Sequence, residues 1–173
     1  ILDINNELLS KIKTQYPAVN IGTSSKELIE GLLPIVDVVI GAVLTPGAKP
    51  PTVITREMLS LMQDKSILSD VSIDQGGCFE TSKPTTHSEP TYEIDGVIHY
   101  CVKNIPSAVP FTATNALNES TRPFISRLAN DGIEGLKSNI NLLMALNTHD
   151  GHLVNKEVAD AHGLEYSDPS NIL

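Results

Sequence analysis

The residues with the clearest chemical potential lie in the run SILSDVSIDQGG, from Ser66 to Gly77. Its apolar, β-branched part (Ile67, Leu68, Val71, Ile73) reads as a buried strand that empties into Asp74-Gln75 and two glycines. Ligands of open α/β sheets bind where strands deliver their carboxyl ends, so a carboxylate there is placed to accept or relay a proton beside a bound molecule. A second reading stands next to it: an Asp just before Gly76-Gly77 also serves as a turn cap.

Asp3 is the second acid of interest. At the end of a strand it can accept hydrogen bonds from the ribose hydroxyls of a dinucleotide and repel a 2′-phosphate; it can equally cap the helix that follows. The glycine-rich turn that would decide the matter, expected about 20 residues upstream, is not in this sequence, which contains no G-x-G. The remaining reactive side chains read more plainly. His87, His99, His149, His152 and His162 form no zinc spacing, and no nucleophile elbow occurs. Cys78 has no evident base partner and reads as an inert small residue. The Lys49 loop is too rich in proline to offer many N–H groups to a phosphate.

The elements that must carry these residues alternate. Ile1–Ile4 reads as a strand stub, and Asn5-Asn6 cap a helix with Leu8, Leu9 and Ile12 apolar. Val19–Gly22 reads as a strand, and Ser24-Ser25 cap a helix over Lys26–Leu33 with acids in its first turns. Ile35–Leu44, the most apolar run, reads as a central parallel strand buried on both faces. Thr55–Met62 reads as a helix, followed by the strand leading to Asp74. Successive strand–helix–strand units with right-handed crossovers make a doubly wound parallel sheet. Thr81–Tyr92 reads as an ordered polar loop and Val97–Val102 as a further strand. Helices are then expected over Thr114–Asn130, Ile133–Leu146 and Lys156–His162, with a domain boundary near Pro110.

Composition sets the outer limits. The 173 residues, 40% hydrophobic and 19% charged, describe an ordinary globular chain whose scarce aromatics leave an aliphatic core. A net charge of −9 argues against nucleic acid or an anionic membrane as partner. No apolar stretch approaches the roughly 18 residues of a membrane span. Two cysteines without metal or redox spacing suit a reducing compartment, with the cytoplasm as default. The chain opens mid-strand on Ile-Leu-Asp-Ile without Met, and reads as the back part of something longer.

Four stretches together carry a resemblance: DVVIGAVLTPGAKPP (Asp37–Pro51), SDVSIDQGGCFETSKPTTH (Ser69–His87), YCVKNIPSAVP (Tyr100–Pro110) and ALNTHDGHL (Ala145–Leu153). The chain resembles the alanine dehydrogenases and the related alpha subunit of nicotinamide nucleotide transhydrogenase. HYCVKNIPSAVP favours the former. The resemblance implies an incomplete Rossmann-like sheet over 1–110, lacking its first strand and glycine turn. It assigns 111–173 to helices returning to a substrate domain. It implies NAD-linked oxidative deamination of L-alanine to pyruvate and ammonia in a homo-oligomer, usually a hexamer. It would place Asp3 on the adenosine ribose, Ser24 near the adenine, and Val43 and Leu44 behind the cofactor. Val71, Ser72, Ile73 and Asp74 would line the nicotinamide side, with Asp74 catalytic. Lys83 falls where the family usually has a cofactor-contacting Arg, and Val102, Lys103, Asn104 and Ile105 would close over the nicotinamide. Leu8, Ile105, Phe111 and Ala113 also depart from the family's usual residues. With the glycine-rich turn absent, and the family's substrate-binding Lys and His absent with it, the bare chain is expected to have little or no activity. A transhydrogenase-type subunit and an inactive truncated relic are the alternatives.

Overall fold

The computed structural model describes residues 1–173, which form two compact units. The first comprises Ile1–Ala42, Thr52–Ile73 and Gly77–Val102; the second comprises Val43–Pro51, Asp74–Gly76 and Lys103–Leu173.

In the first unit, β1 (Leu2–Asp3) pairs in parallel with β2 (Gly22–Thr23), the two joined through helix α1 (Asn6–Gln15). The Asn5 side chain caps α1 by accepting from the N–H groups of Glu7 and Leu8, and Leu9 is the residue this helix buries. Helix α2 (Lys26–Leu32) starts on Ser25, whose hydroxyl accepts from Leu28 N–H. A four-stranded sheet follows in the order β3 (Val38–Gly41), β4 (Ile67–Asp70), β6 (Val97–Tyr100), β5 (Thr91–Ile94). Its first three strands are parallel, and β5 closes one edge antiparallel to β6. The core is aliphatic: Leu33, Ile54, Leu59, Leu68, Val97 and Val102 are fully or almost fully buried.

Several expectations need correction. The Ile35–Leu44 run supplies only the four residues of β3, which is an end strand rather than a central one. Ile40 is 67% exposed and Val38 48%, because β4 covers one edge of β3 and only Gly41 of the strand packs inside, against Cys78 and Phe79. The Thr55–Met62 helix is a 3-10 segment, Glu57–Leu61. The strand before Asp74 stops at Asp70, and Val71–Gln75 forms a 3-10 turn. The polar loop ends in strand β5, turned onto β6 by Asp95-Gly96, both at positive φ. That Asp-Gly between alternating residues is a hairpin signal.

The second unit is helical. Helix α3 (Pro110–Lys137) starts with Pro110 in its first turn, four residues earlier than expected, because proline's missing N–H costs nothing there. Its helical backbone is interrupted at Gly132 (φ 55°), between the two helices expected. Asn139 caps α4 (Ile140–Ala145), and a two-residue turn at Asp150-Gly151 joins β7 (Thr148–His149) to β8 (His152–Leu153). Helix α5 (Lys156–His162), capped by Asn155, ends on left-handed Gly163.

Candidate functional site

All but one of the candidate residues follow the carboxyl end of a strand that pairs in parallel. Asp3 ends β1, and Ser24 follows β2 directly, its N–H donating to the Asp3 carbonyl at 2.9 Å. The Asp3 carboxylate accepts from Asn5 N–H at 2.7 Å, while Asn5 itself takes the cap of α1. Val43 and Leu44 come just after β3, with Leu44 largely exposed. Val71–Asp74 follow β4, and Val102–Ile105 follow β6. This is the layout in which open parallel sheets hold ligands.

In the second unit the structure brings Asp74 and Asn104 together. The Asn104 N–H donates to both oxygens of the exposed Asp74 carboxylate, at 3.2 Å each. Asn104 reaches this position in left-handed backbone (φ 52°), which asparagine tolerates better than most residues. The stem of Lys49 runs across Gly76: a Cβ there would stand 3.1–3.3 Å from Lys49 Cγ, Cδ and Cε. Gly47 leaves no more room, since its Cβ would meet the Glu157 side chain at the start of α5 at 2.8 Å. The proline-rich loop is thus seated on α5 and against Gly76.

In the first unit the base of that turn is tied down. Gly77 N–H donates to the Ser72 carbonyl at 3.0 Å, and Cys78 carbonyl accepts from Val53 N–H at 2.8 Å. Of the residues expected to line the nicotinamide, Ser72 and Ile73 are buried at 3% exposure and Val71 is open. Val102 is fully buried and bridges in parallel to Thr85.

Lys83 is the exception to the strand-end rule. It sits on the segment after the two glycines, with its N–H donating to Tyr92 Oη at 2.6 Å; that hydroxyl donates in turn to the Thr81 carbonyl. Tyr92 stacks on His99 with ring centroids 4.9 Å apart. Burial, then its contact with Cys101, pushes the Tyr92 hydroxyl far above its ordinary range, so it stays a neutral donor. The Lys83 side chain thus projects from a backbone held by the β5–β6 hairpin.

A family model described as "Alanine dehydrogenase/PNT, C-terminal domain" matches residues 1–156. The chain belongs to the alanine dehydrogenase/PNT family. Alanine dehydrogenase from Halomonas elongata is 51% identical over 151 residues, covering 87% of this chain and 41% of that protein. The Staphylococcus haemolyticus alanine dehydrogenase is 46% identical over 176 residues, covering all of this chain and 47% of its own. This chain therefore spans less than half the length of these relatives. A solved L-alanine dehydrogenase superposes with a TM-score of 0.80 at 42% identity, over 94% of this chain and 45% of that one. A transhydrogenase from Sinorhizobium meliloti, at 22% identity and TM-score 0.63, shares the fold.

Two features of the site escaped sequence reasoning: the buried Asp70 carboxylate and the bond from the Asn104 backbone N–H to Asp74. Asp70, fully buried at the true end of β4, is eclipsed in sequence by the more conspicuous Asp74. The Asn104 backbone N–H carries no sequence signal beyond asparagine's tolerance of positive φ.

Proposed function

We propose that this chain supplies the cofactor-binding part of an NAD-dependent alanine dehydrogenase. Its residues 1–110 would form the nicotinamide-nucleotide domain, and 111–173 the helices that return to the substrate domain. The observation that carries the reading is the run of Asp3, Ser24, Val43–Leu44, Val71–Asp74 and Val102–Ile105 behind successive parallel strand ends, in a chain similar throughout to proteins named alanine dehydrogenase.

The residues present fit a dinucleotide. Asp3 offers a carboxylate for the ribose hydroxyls and repels a 2′-phosphate, which selects NAD over NADP. Lys83 offers a positive charge, though without the bidentate fork of an arginine. Gly76 and Gly77, at φ 104° and 77°, give the chain the tight turn that follows Asp74. When bound, NAD would supply the hydride acceptor for L-alanine, which after addition of water leaves as pyruvate and ammonia. Asp74 would move a proton at its carboxylate oxygens, oriented by Asn104 N–H. The intact enzyme is read as a homo-oligomer, usually a hexamer. The two buried cysteines of this chain, which form no disulfide, suit a reducing compartment, the cytoplasm.

Calorimetric titration of the chain with NAD and NADP tests the proposal. Heat of binding is expected with NAD at about millimolar concentration, and weaker or none with NADP. Absence of NAD binding sinks the reading.

A further inference from the structure

Asp70 is fully buried, yet it is a carboxylate, and its contacts explain why it is there. Its Oδ1 accepts from Ser72 N–H at 2.9 Å and meets the Cys78 thiol at 3.5 Å. Its Oδ2 accepts from Cys78 N–H at 2.8 Å and from the Ser82 hydroxyl in a short bond. Ser72 and Cys78 flank the tip that carries Asp74, and the Gly77-to-Ser72 hydrogen bond closes the same ring. One carboxylate therefore gathers both legs of the turn and the strand-side segment beyond it. Gly77 makes the close approach possible: a Cβ there would lie 2.8 Å from Asp70 Oδ2.

We propose that Asp70 is a positioning residue for the reaction: it fixes the span of the Ser72–Cys78 turn and through it the place of Asp74. This rests on the assignment of Asp74 to the site. The carboxylate chemistry is required, because each oxygen faces a backbone N–H. An asparagine amide in either flip would set its NH2 against the N–H of Ser72 or of Cys78, leaving a buried donor without an acceptor.

Asp70→Asn in the whole chain is the first test. The Cys78 thiol should react with a disulfide reagent about tenfold faster or more. Cys101, equally buried but touching the clamp only through a 3.9 Å contact of its thiol with Ser82 Oγ, should be accelerated distinctly less. The Asn104 amide, bonded to Asp74, should lose hydrogen-exchange protection by a similar factor. Equal acceleration at both cysteines, or at neither, overturns the proposal. Ser82→Ala covers the case in which Asp70→Asn does not fold, since it removes one hydroxyl donor and no backbone contact. Protection at Asn104 should then fall by about threefold, while the amide of Ile98, bonded to the Ser66 carbonyl, is unchanged. An unchanged Asn104 amide overturns the proposal here too. The NAD titration reads the functional assignment separately: a chain with the clamp intact that binds no NAD loses that assignment and keeps the clamp.

Discussion

The imidazole of His99 is fully buried, and its two nitrogens meet unlike partners. Nδ1 lies 3.0 Å from the Val97 carbonyl, which can only accept, so Nδ1 carries the proton. Nε2, 2.7 Å from the Thr81 hydroxyl, then accepts in the neutral ring. Burial pushes the imidazole below its ordinary range, against a smaller opposing contribution from the Val97 carbonyl. The sign follows directly. With the folded pKa below the unfolded value of 6.5, the unfolded chain binds the proton first as pH falls. Stability from neutral His99 is complete above that value and is lost on acidification below it. The urea midpoint should fall between about pH 7 and about pH 5, and His99→Gln should flatten that part of the profile. An identical pH slope in the variant would refute the assignment. Because His99 also stacks on Tyr92, which holds the segment bearing Lys83, acidification should loosen that segment first.

At the scale of elements, the two-glycine turn separates backbone freedom from available space. Both glycines have positive φ, so alanine is strained at either. At position 77 a Cβ meets the buried Asp70 carboxylate and Ser82 Cβ, each at 2.8 Å. At position 76 it meets the flexible stem of exposed Lys49, which can swing away. Gly77→Ala should therefore cost roughly 1–3 kcal/mol in urea unfolding, and distinctly more than Gly76→Ala. Equal costs would mean that backbone strain alone decides. The same turn shows what could be read in advance. The caps on Asn5 and Ser25 and the parallel order of β3, β4 and β6 follow from local side-chain chemistry and hydrophobic spacing. Asp3, Asp74 and the Lys103-Asn104 pair could be read behind strand ends for the same reason, whereas Ser24, Val43, Leu44 and Lys83 came only from the family resemblance. Where β4 ends was not legible, because Val71 and Ile73 suit a strand and a 3-10 turn alike, and only tertiary hydrogen bonds to Asp70 choose the turn. Neither was the exposure of β3: an apolar run announces burial without saying which neighbour provides it.

For the molecule as a whole, the sheet edges are treated unequally. At one end stands β5, bonded to β6 alone, whose residues include Glu93, ion-paired to Lys65 at 2.6 Å. At the other end β3 is bonded to β4 alone, with Val38 and Ile40 open to solvent. An uncovered apolar end strand is a template for association, which the net charge of −9 opposes only at range. Ile40→Lys should sharply lower concentration-dependent light scattering while leaving unfolding free energy within about 0.5 kcal/mol. Unchanged scattering would place the contact elsewhere. No helix is long and apolar enough to cross a membrane, so these exposed residues do not form a helical span.

The two margins together decide how far such association can go. β5, like β3, is bonded to one neighbour only, so a four-stranded sheet of this kind has two places at which a further strand can add. A pair joined β3 to β3 would still present both β5 margins. Charged side chains there, Glu93 among them, and not a lack of edges, are what would oppose further growth.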